Sequence, residues 1–167
     1  AIETPNSILD VAEEIKAKHT KTSDKIAAAL RFSQDEVRYL GLEMGTNSHQ
    51  PTSASETLSL RYGDCKDKTV LLISLLKAMD IEAFPALVDT EETKRLKELP
   101  ATASVFNHVI VTLKQNGKRY WLDPTVSYQR GTLEYLAQPN YGYALIIDKG
   151  ETTLTSMAQK PVHTNVS

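Results

Sequence analysis

A chain of 167 residues, 41% hydrophobic and with a formal net charge of -2, has the make-up of one ordinary globular domain, long enough to bury a proper core. The near-neutral charge argues against a strong pull toward nucleic acid or an anionic membrane, and no apolar run reaches the length of a bilayer span. The single cysteine excludes an internal disulfide and a multi-cysteine zinc site; the start at Ala1, without a signal-peptide pattern, reads as a processed chain or an excised piece of a longer one.

Apolar spacing at Ile8, Val11, Ala12 and Ile15 predicts a helix over residues 7–20, with Ser7 as its cap. Residues 23–39 read as a second helix, capped by Ser23 or Asp24. The polar, turn-rich residues 40–63 read as a long loop, with one short strand near Tyr39 to Glu43, and a loop of that length is usually functional. Cys65 to Met79 is then predicted helical, with Asp64 as N-cap and Asp67 placing negative charge near the positive helix end. Its apolar residues, Val70, Leu71, Leu72, Ile73, Leu75, Leu76 and Met79, leave so little polar face that the helix must be surrounded by protein.

"EAFPALV" follows as a strand, and "DTEETKRLKELPATAS" as a charged connection. "VFNHVIVTLKQNGKRYWLDPT" reads as a hairpin turning at Asn116-Gly117, "YALIID" as a further strand, and the tail from Lys149 as an edge element or linker. Helices come first, then strands packed on a central helix, so the expected class is α+β. The expected division is one domain over 1–148, with N-terminal helices over 1–36 and a core over 37–148, and a tail or linker over 149–167 running toward a further domain.

The hairpin carries the chemistry. A two-residue turn pairs Ile110 with Asp123 and His108 with Thr125, and paired residues share a face of the sheet. His108 and Asp123 are then diagonal neighbours, roughly 7–8 Å apart at the backbone, within reach of an imidazole–carboxylate hydrogen bond. Val109, Val111 and Leu113 point to the opposite face, which can be core. Cys65, at a helix N-terminus, lies where the dipole favours a thiolate; an imidazole can take its proton, and a carboxylate behind the imidazole fixes the tautomer. Cys65 is accordingly expected to be partly exposed in a cleft.

Each residue has a plainer explanation. A lone cysteine is often an inert core thiol, but such a thiol would sit more naturally inside the apolar run than at its charged start. A lone strand histidine is often surface or satisfied core, and Asp123 before Pro124 can simply start a turn. His19, His49 and His163 lie in polar contexts and are expected to be solvated.

The segments "RYGDCKDKTVLL", "FNHVIVTL" and "YWLDPT", in this order, resemble the transglutaminase-like superfamily, whose core is papain-like α+β. The resemblance runs from about Val37 to Ile147 and is strongest to a bacterial branch that carries this core between β-rich domains. It implies a central helix bearing the cysteine packed on an antiparallel sheet, with Cys65 as nucleophile, His108 as general base and Asp123 as orienting carboxylate. "VRYLGLEMG" and "SHQP" resemble the segment ahead of the catalytic cysteine in that branch. Gln50 is therefore the candidate oxyanion donor, with the backbone N–H of Cys65 as the second. Other members use an upstream tryptophan there, whereas Trp121 is the only one in this chain. No acidic loop resembles a calcium site, so no metal and no cofactor are expected.

The implied activity is acyl transfer on peptide or protein amides through a thioester, resolved by water in a peptidase or amidase, or by an amine in a transglutaminase. The expected partners are a peptide or protein substrate and neighbouring domains of a longer chain, with no nucleic acid and no membrane span; the bacterial periplasm or cell envelope is the expected compartment. The alternative is a catalytically silent peptide-binding or scaffolding module with the same fold, set second because all three residues of the triad are present.

Overall fold

In a computed structural model, the structure describes residues 4–41, 50–90, 106–127 and 129–158. Helix α1 (Asn6–Lys18) buries Ile8, Ala12 and Ile15, one stripe at helical spacing. It starts directly after Pro5, so Ser7 lies inside the first turn and caps nothing. Helix α2 (Thr22–Asp35) buries Ile26, Leu30 and their neighbours. Its N-cap is Lys21, without a side-chain cap, rather than Ser23 or Asp24.

The expected continuation of α2 to residue 39 is not what forms. After Glu36 the chain turns into strand β1 (Arg38–Tyr39), which pairs in parallel with β2 (Tyr62–Gly63). The backbone N–H of Arg38 donates to Arg61 and that of Leu40 to Gly63, at 2.8 and 2.9 Å. These long-range bonds replace the ones a longer helix would have made.

The loop expected over 40–63 contains a helix, α3 (Ala54–Leu60). Ser53 caps it by accepting from the N–H of Glu56, and Arg61 ends it in the left-handed region at φ 59. Ser53 and Glu56 carry the S-x-x-E signature of a helix start, but seven residues rich in Ser and Thr give little apolar period. The strand expected at Tyr39 to Glu43 is confined, among the described residues, to Arg38–Tyr39.

Helix α4 (Cys65–Ala78) is the centre of the molecule, packed by α1, α2 and α3 and by the sheet. Five antiparallel strands form that sheet: β3 (Phe84–Val88), β4 (His108–Gln115), β5 (Lys118–Leu122), β6 (Tyr143–Asp148) and β7 (Glu151–Ser156), in the order β5-β4-β3-β6-β7. Strand β7 thus pairs along the outer edge of β6. The charged connection over 91–105 lies outside the described residues.

The hairpin has the register that a two-residue turn dictates. Gln115 pairs with Lys118 and Val111 with Leu122. Asn116 and Gly117 both adopt positive φ, 52 and 75, as the twist of a tight hairpin demands. Val111, Leu113, Tyr120 and Leu122 face the helices and share their core with Leu71, Leu72, Leu75 and Leu76 of α4. Ile110 and Trp121 face the other way, with Ala86, Val88, Ala144, Ile146 and Met157. The sheet is therefore buried on both faces, and the ends of β4 and β5 that carry His108 and Asp123 come to lie beside the start of α4.

Candidate active site

The cysteine is placed by the start of α4. Asp64 Oδ1 accepts from the N–H of Asp67, and Asp67 Oδ2 accepts from the N–H of Asp64, both at 3.0 Å. This reciprocal box satisfies two orphan donors and fixes Cys65 as the first helical residue. The other oxygen of Asp67 accepts from the N–H of Thr52 at 2.7 Å, tying the segment before α3 to the same turn. Gly63 is required here: a Cβ would stand 2.6 Å from Cβ of Asp67.

His108 opens β4 opposite Val88, and Asp123 follows directly on β5. Nε2 of His108 lies 2.9 Å from Oδ2 of Asp123, and its side chain also hydrogen-bonds Cys65. With Nε2 committed to the carboxylate, Nδ1 is the nitrogen left for the sulfur. The structure thus brings Cys65, His108 and Asp123 together; hairpin parity accounts for His108 and Asp123 sharing a face, and the packing of α4 for Cys65.

Asp123 is almost fully enclosed, at 1% exposure, and each of its oxygens accepts two hydrogen bonds. Oδ2 accepts from His108 and, at 2.8 Å, from the hydroxyl of Tyr141; Oδ1 accepts from the N–H and the hydroxyl of Thr125, at 2.9 and 2.6 Å. Burial would raise its pKa, but the bond to His108, the imidazolium charge and the two Thr125 bonds together hold it below the ordinary value. Burial would likewise lower the imidazole; hydrogen bonds to Asp123 and Cys65, and the charges of both, reverse this and push His108 up to about 9. The ring of Tyr141 stands edge-on to the imidazole, 6.0 Å between centroids, and further confines it.

Cys65 departs from expectation in one respect. It is 1% exposed, not partly open in a cleft, because α4, which it starts, is packed on several sides by the other helices and the sheet. A polar cleft of about 510 Å³ is lined by Gln34, Val37, Arg38, Tyr39, Arg61 and Thr125, the last of which is bonded to Asp123. Burial, then the charges of Cys65, Asp123 and Asp64, hold the Tyr39 phenol above its ordinary value, so this side chain belongs to the site's surroundings. Gln50 is exposed, two residues ahead of the Thr52 tie. His49 and His163 lie outside the described residues, and His19 is half-buried at the end of α1.

Several residues at the site were not singled out from sequence. Thr125 had a signal, since Asp-Pro-Thr is turn chemistry in which a carboxylate bonds the backbone two residues on. Tyr141 had none, for its contact depends on where the segment between β5 and β6 returns. Lys68 could have been noticed as a charge on an otherwise apolar helix; it is fully buried. Among the described residues, no group of three or more His, Cys, Asp or Glu side chains could hold a metal ion, and no described helix is long and apolar enough to cross a membrane.

Residues 9–124, well over half of the chain and inclusive of Cys65, His108 and Asp123, match the transglutaminase-like superfamily. The chain belongs to this superfamily. Its α+β fold is that of two solved relatives, which at such low identity speak to the fold alone. A candidate protease from Parabacteroides distasonis superposes with a TM-score of 0.68 at 14% identity, over 94% of this chain and 28% of that one. A candidate cysteine protease from Cytophaga hutchinsonii gives 0.54 at 19% identity, over 93% of this chain and 52% of that one. The transglutaminase-like chain described here therefore spans about a quarter and about half of the lengths of these two proteins. No curated protein sequence matches it. Membership of the superfamily supports a cysteine-dependent function at family level.

Proposed function

We propose that this chain is a cysteine acyl-transfer enzyme acting on peptide or protein amides through a thioester. The observation that carries the proposal is the 2.9 Å contact of His108 to a doubly anchored Asp123 carboxylate, with Cys65 hydrogen-bonded to the same imidazole. Sγ of Cys65 attacks the amide carbonyl carbon, and the carbonyl electrons move to oxygen. The oxyanion collapses, the C–N bond breaks, and His108 passes its proton to the departing amine or ammonia, leaving a thioester. His108 then takes a proton from water, which attacks the thioester to give a carboxylic acid and the free thiol; an attacking amine gives a new amide instead. Asp123 holds the imidazole in place and stabilises its cation throughout.

The oxyanion needs donors in place before it forms. The N–H of Cys65, at the first position of its helix, is one candidate. Gln50 is the other, since the bond from Thr52 to Asp67 draws its segment toward the same helix turn.

The burial of Cys65 favours a second reading, a silent peptide-binding module with this fold. One experiment decides. The protein is incubated with a peptide library and a labelled amine, and products are sorted by mass into cleaved, deamidated and aminated. Products from the wild type that vanish in Cys65→Ala support acyl transfer and name the acceptor. No product, or equal product from Cys65→Ala, overturns it in favour of the module.

A further inference from the structure

Among the described residues, Lys68 is an unusual charge, the one lysine or arginine that is fully buried. It follows Cys65 by three residues on α4, which puts it about one turn down on the same side of the helix, and it is 0% exposed. Two features make that position costly. A buried ammonium must be desolvated, and the first turn of a helix is the positive end of its own dipole. Burial lowers its pKa to about 8, against the opposing influence of Asp123 and Asp35.

The compensation comes from another helix. Nζ of Lys68 donates to the carbonyl of Val37 at 2.6 Å and to that of Gln34 at 3.4 Å. Both carbonyls lie where α2 ends, the negative end of that helix's dipole, where chain direction changes into β1. From the same helix end, Nε2 of Gln34 donates to the backbone carbonyl of Asp123 at 3.0 Å and to Oε1 of Gln129 at 2.7 Å. Nε2 of Gln129 donates onward to Ala137, so its own oxygen must be the acceptor, and the Gln34 amide is held in its donor orientation.

We propose that Lys68 is a positioning residue of the active site: its buried ammonium clamps the end of α2 to the cysteine helix, and Gln34 relays that clamp to the backbone of Asp123. Resting on the acyl-transfer reading of the site, this adds a fourth element to it. Cys65 is tied to Lys68 by the helix, Lys68 to α2 by two carbonyls, α2 to Asp123 by one amide, and Asp123 to His108 by its carboxylate. Lys68 acts at a remove from the reacting atoms: its hydrogen bonds go to the carbonyls of Gln34, in α2, and Val37, just beyond it.

The charge and the clamp predict opposite effects on His108, and this makes the role testable. If Lys68 acted only as a nearby cation, removing it would leave the His108 imidazolium unchanged or more stable. If it positions Asp123, removing it loosens the carboxylate and the imidazolium loses support. The imidazole of His108 is titrated by heteronuclear NMR in wild type, Lys68→Met and Lys68→Arg. The expected result is a titration lower by about one pH unit or more in Lys68→Met, a tenfold weaker hold on the proton. Lys68→Arg, which keeps charge and donors, is expected to stay near wild type.

An unchanged or raised titration in folded Lys68→Met overturns the proposal, and so does a fall in Lys68→Arg as large as in Lys68→Met, which would point to packing instead of donation. Should Lys68→Met fail to fold, Gln34→Leu cuts the relay at its last bond and carries the same expectation; an unshifted His108 there overturns the proposal equally. The titration is read whether or not the protein turns over a peptide, so its failure is distinct from a failure of the acyl-transfer reading.

Discussion

His108 and Asp123 meet at 2.9 Å from two strands joined by a two-residue turn, and the meeting is a consequence of strand parity. A turn longer by one residue would send one of the two to the opposite face of the sheet. The carboxylate is further immobilised by Thr125 and Tyr141, so the imidazole has a fixed anion rather than a mobile one.

Asp123→Asn should keep this geometry while removing its charge. The amide can still occupy the pocket, so circular dichroism and folding are expected to change little. Turnover is expected to fall by about 10⁴, the effect of replacing the orienting carboxylate in a triad. The His108 titration should fall from its raised position, since the bond to Asp123 is the foremost influence raising it. Undiminished turnover by a folded Asp123→Asn would remove the carboxylate from the mechanism.

Tyr141→Phe should act on stability first. The hydroxyl donates to a buried anion at 2.8 Å, and a hydrogen bond to a charged group contributes about 1.5–3 kcal/mol. Denaturant unfolding at neutral pH is expected to show a loss of that order. Because the change strips a donor from the carboxylate and not from the imidazole, the His108–Asp123 bond should survive. Unaltered stability would mean that solvent or another group replaces the phenol without loss.

How much of this could be read from the chain follows the range of the interactions. The α4 helix and the hairpin were legible because capping, apolar period and Asn-Gly turn chemistry are all local, and parity then determines which side chains share a face. Helix α3 escaped because its seven residues carry little period, although Ser53 and Glu56 announced its start. The end of α2 at Asp35 was not legible, for what stops it is pairing with β2 and the donation of Lys68 to its carbonyls, both set by tertiary structure. The same holds for Tyr141 on Asp123, and for the burial of Cys65, which depends on everything packed around α4.

Stability should depend on pH in a way that separates three buried groups. His108 is raised in the fold to about 9 from 6.5, so its contribution is fully present below about 6.5 and is lost as pH rises through 9. Asp123 is depressed, so its contribution is present above its ordinary value of 3.8 and is lost as pH falls through its lowered value. Lys68 is lowered to about 8 from 10.5; between these values the unfolded chain binds more protons, and stability rises with pH. The expected curve is high between about pH 4 and 6.5, falls from there to about 8, is flat between about 8 and 9, where Lys68 offsets His108, and rises from there toward 10.5, where Lys68 acts alone. Urea titrations across this range check it. His108→Ala should lose the fall between 6.5 and 8, and a fall of the same steepness in that variant would assign it to other groups.

The last prediction concerns the sulfur itself. Because Cys65 is enclosed, its reaction with an alkylating reagent measures access and activation together, and absolute rates cannot separate them. The pH profile can. If His108 and Cys65 act as a coupled pair, wild-type alkylation by iodoacetamide should persist at mildly acidic pH and should change again as His108 loses its proton near pH 9. His108→Ala should lack both features and follow one simple titration. A bulky maleimide should be slowed in both proteins by a similar factor, because access is a property of the enclosure and not of the imidazole. Superimposable single titrations in wild type and His108→Ala would show that no pair forms. The 2.9 Å contact of His108 with Asp123 would then be a buried structural ion pair, and the superfamily fold would be carrying a binding function in place of a catalytic one.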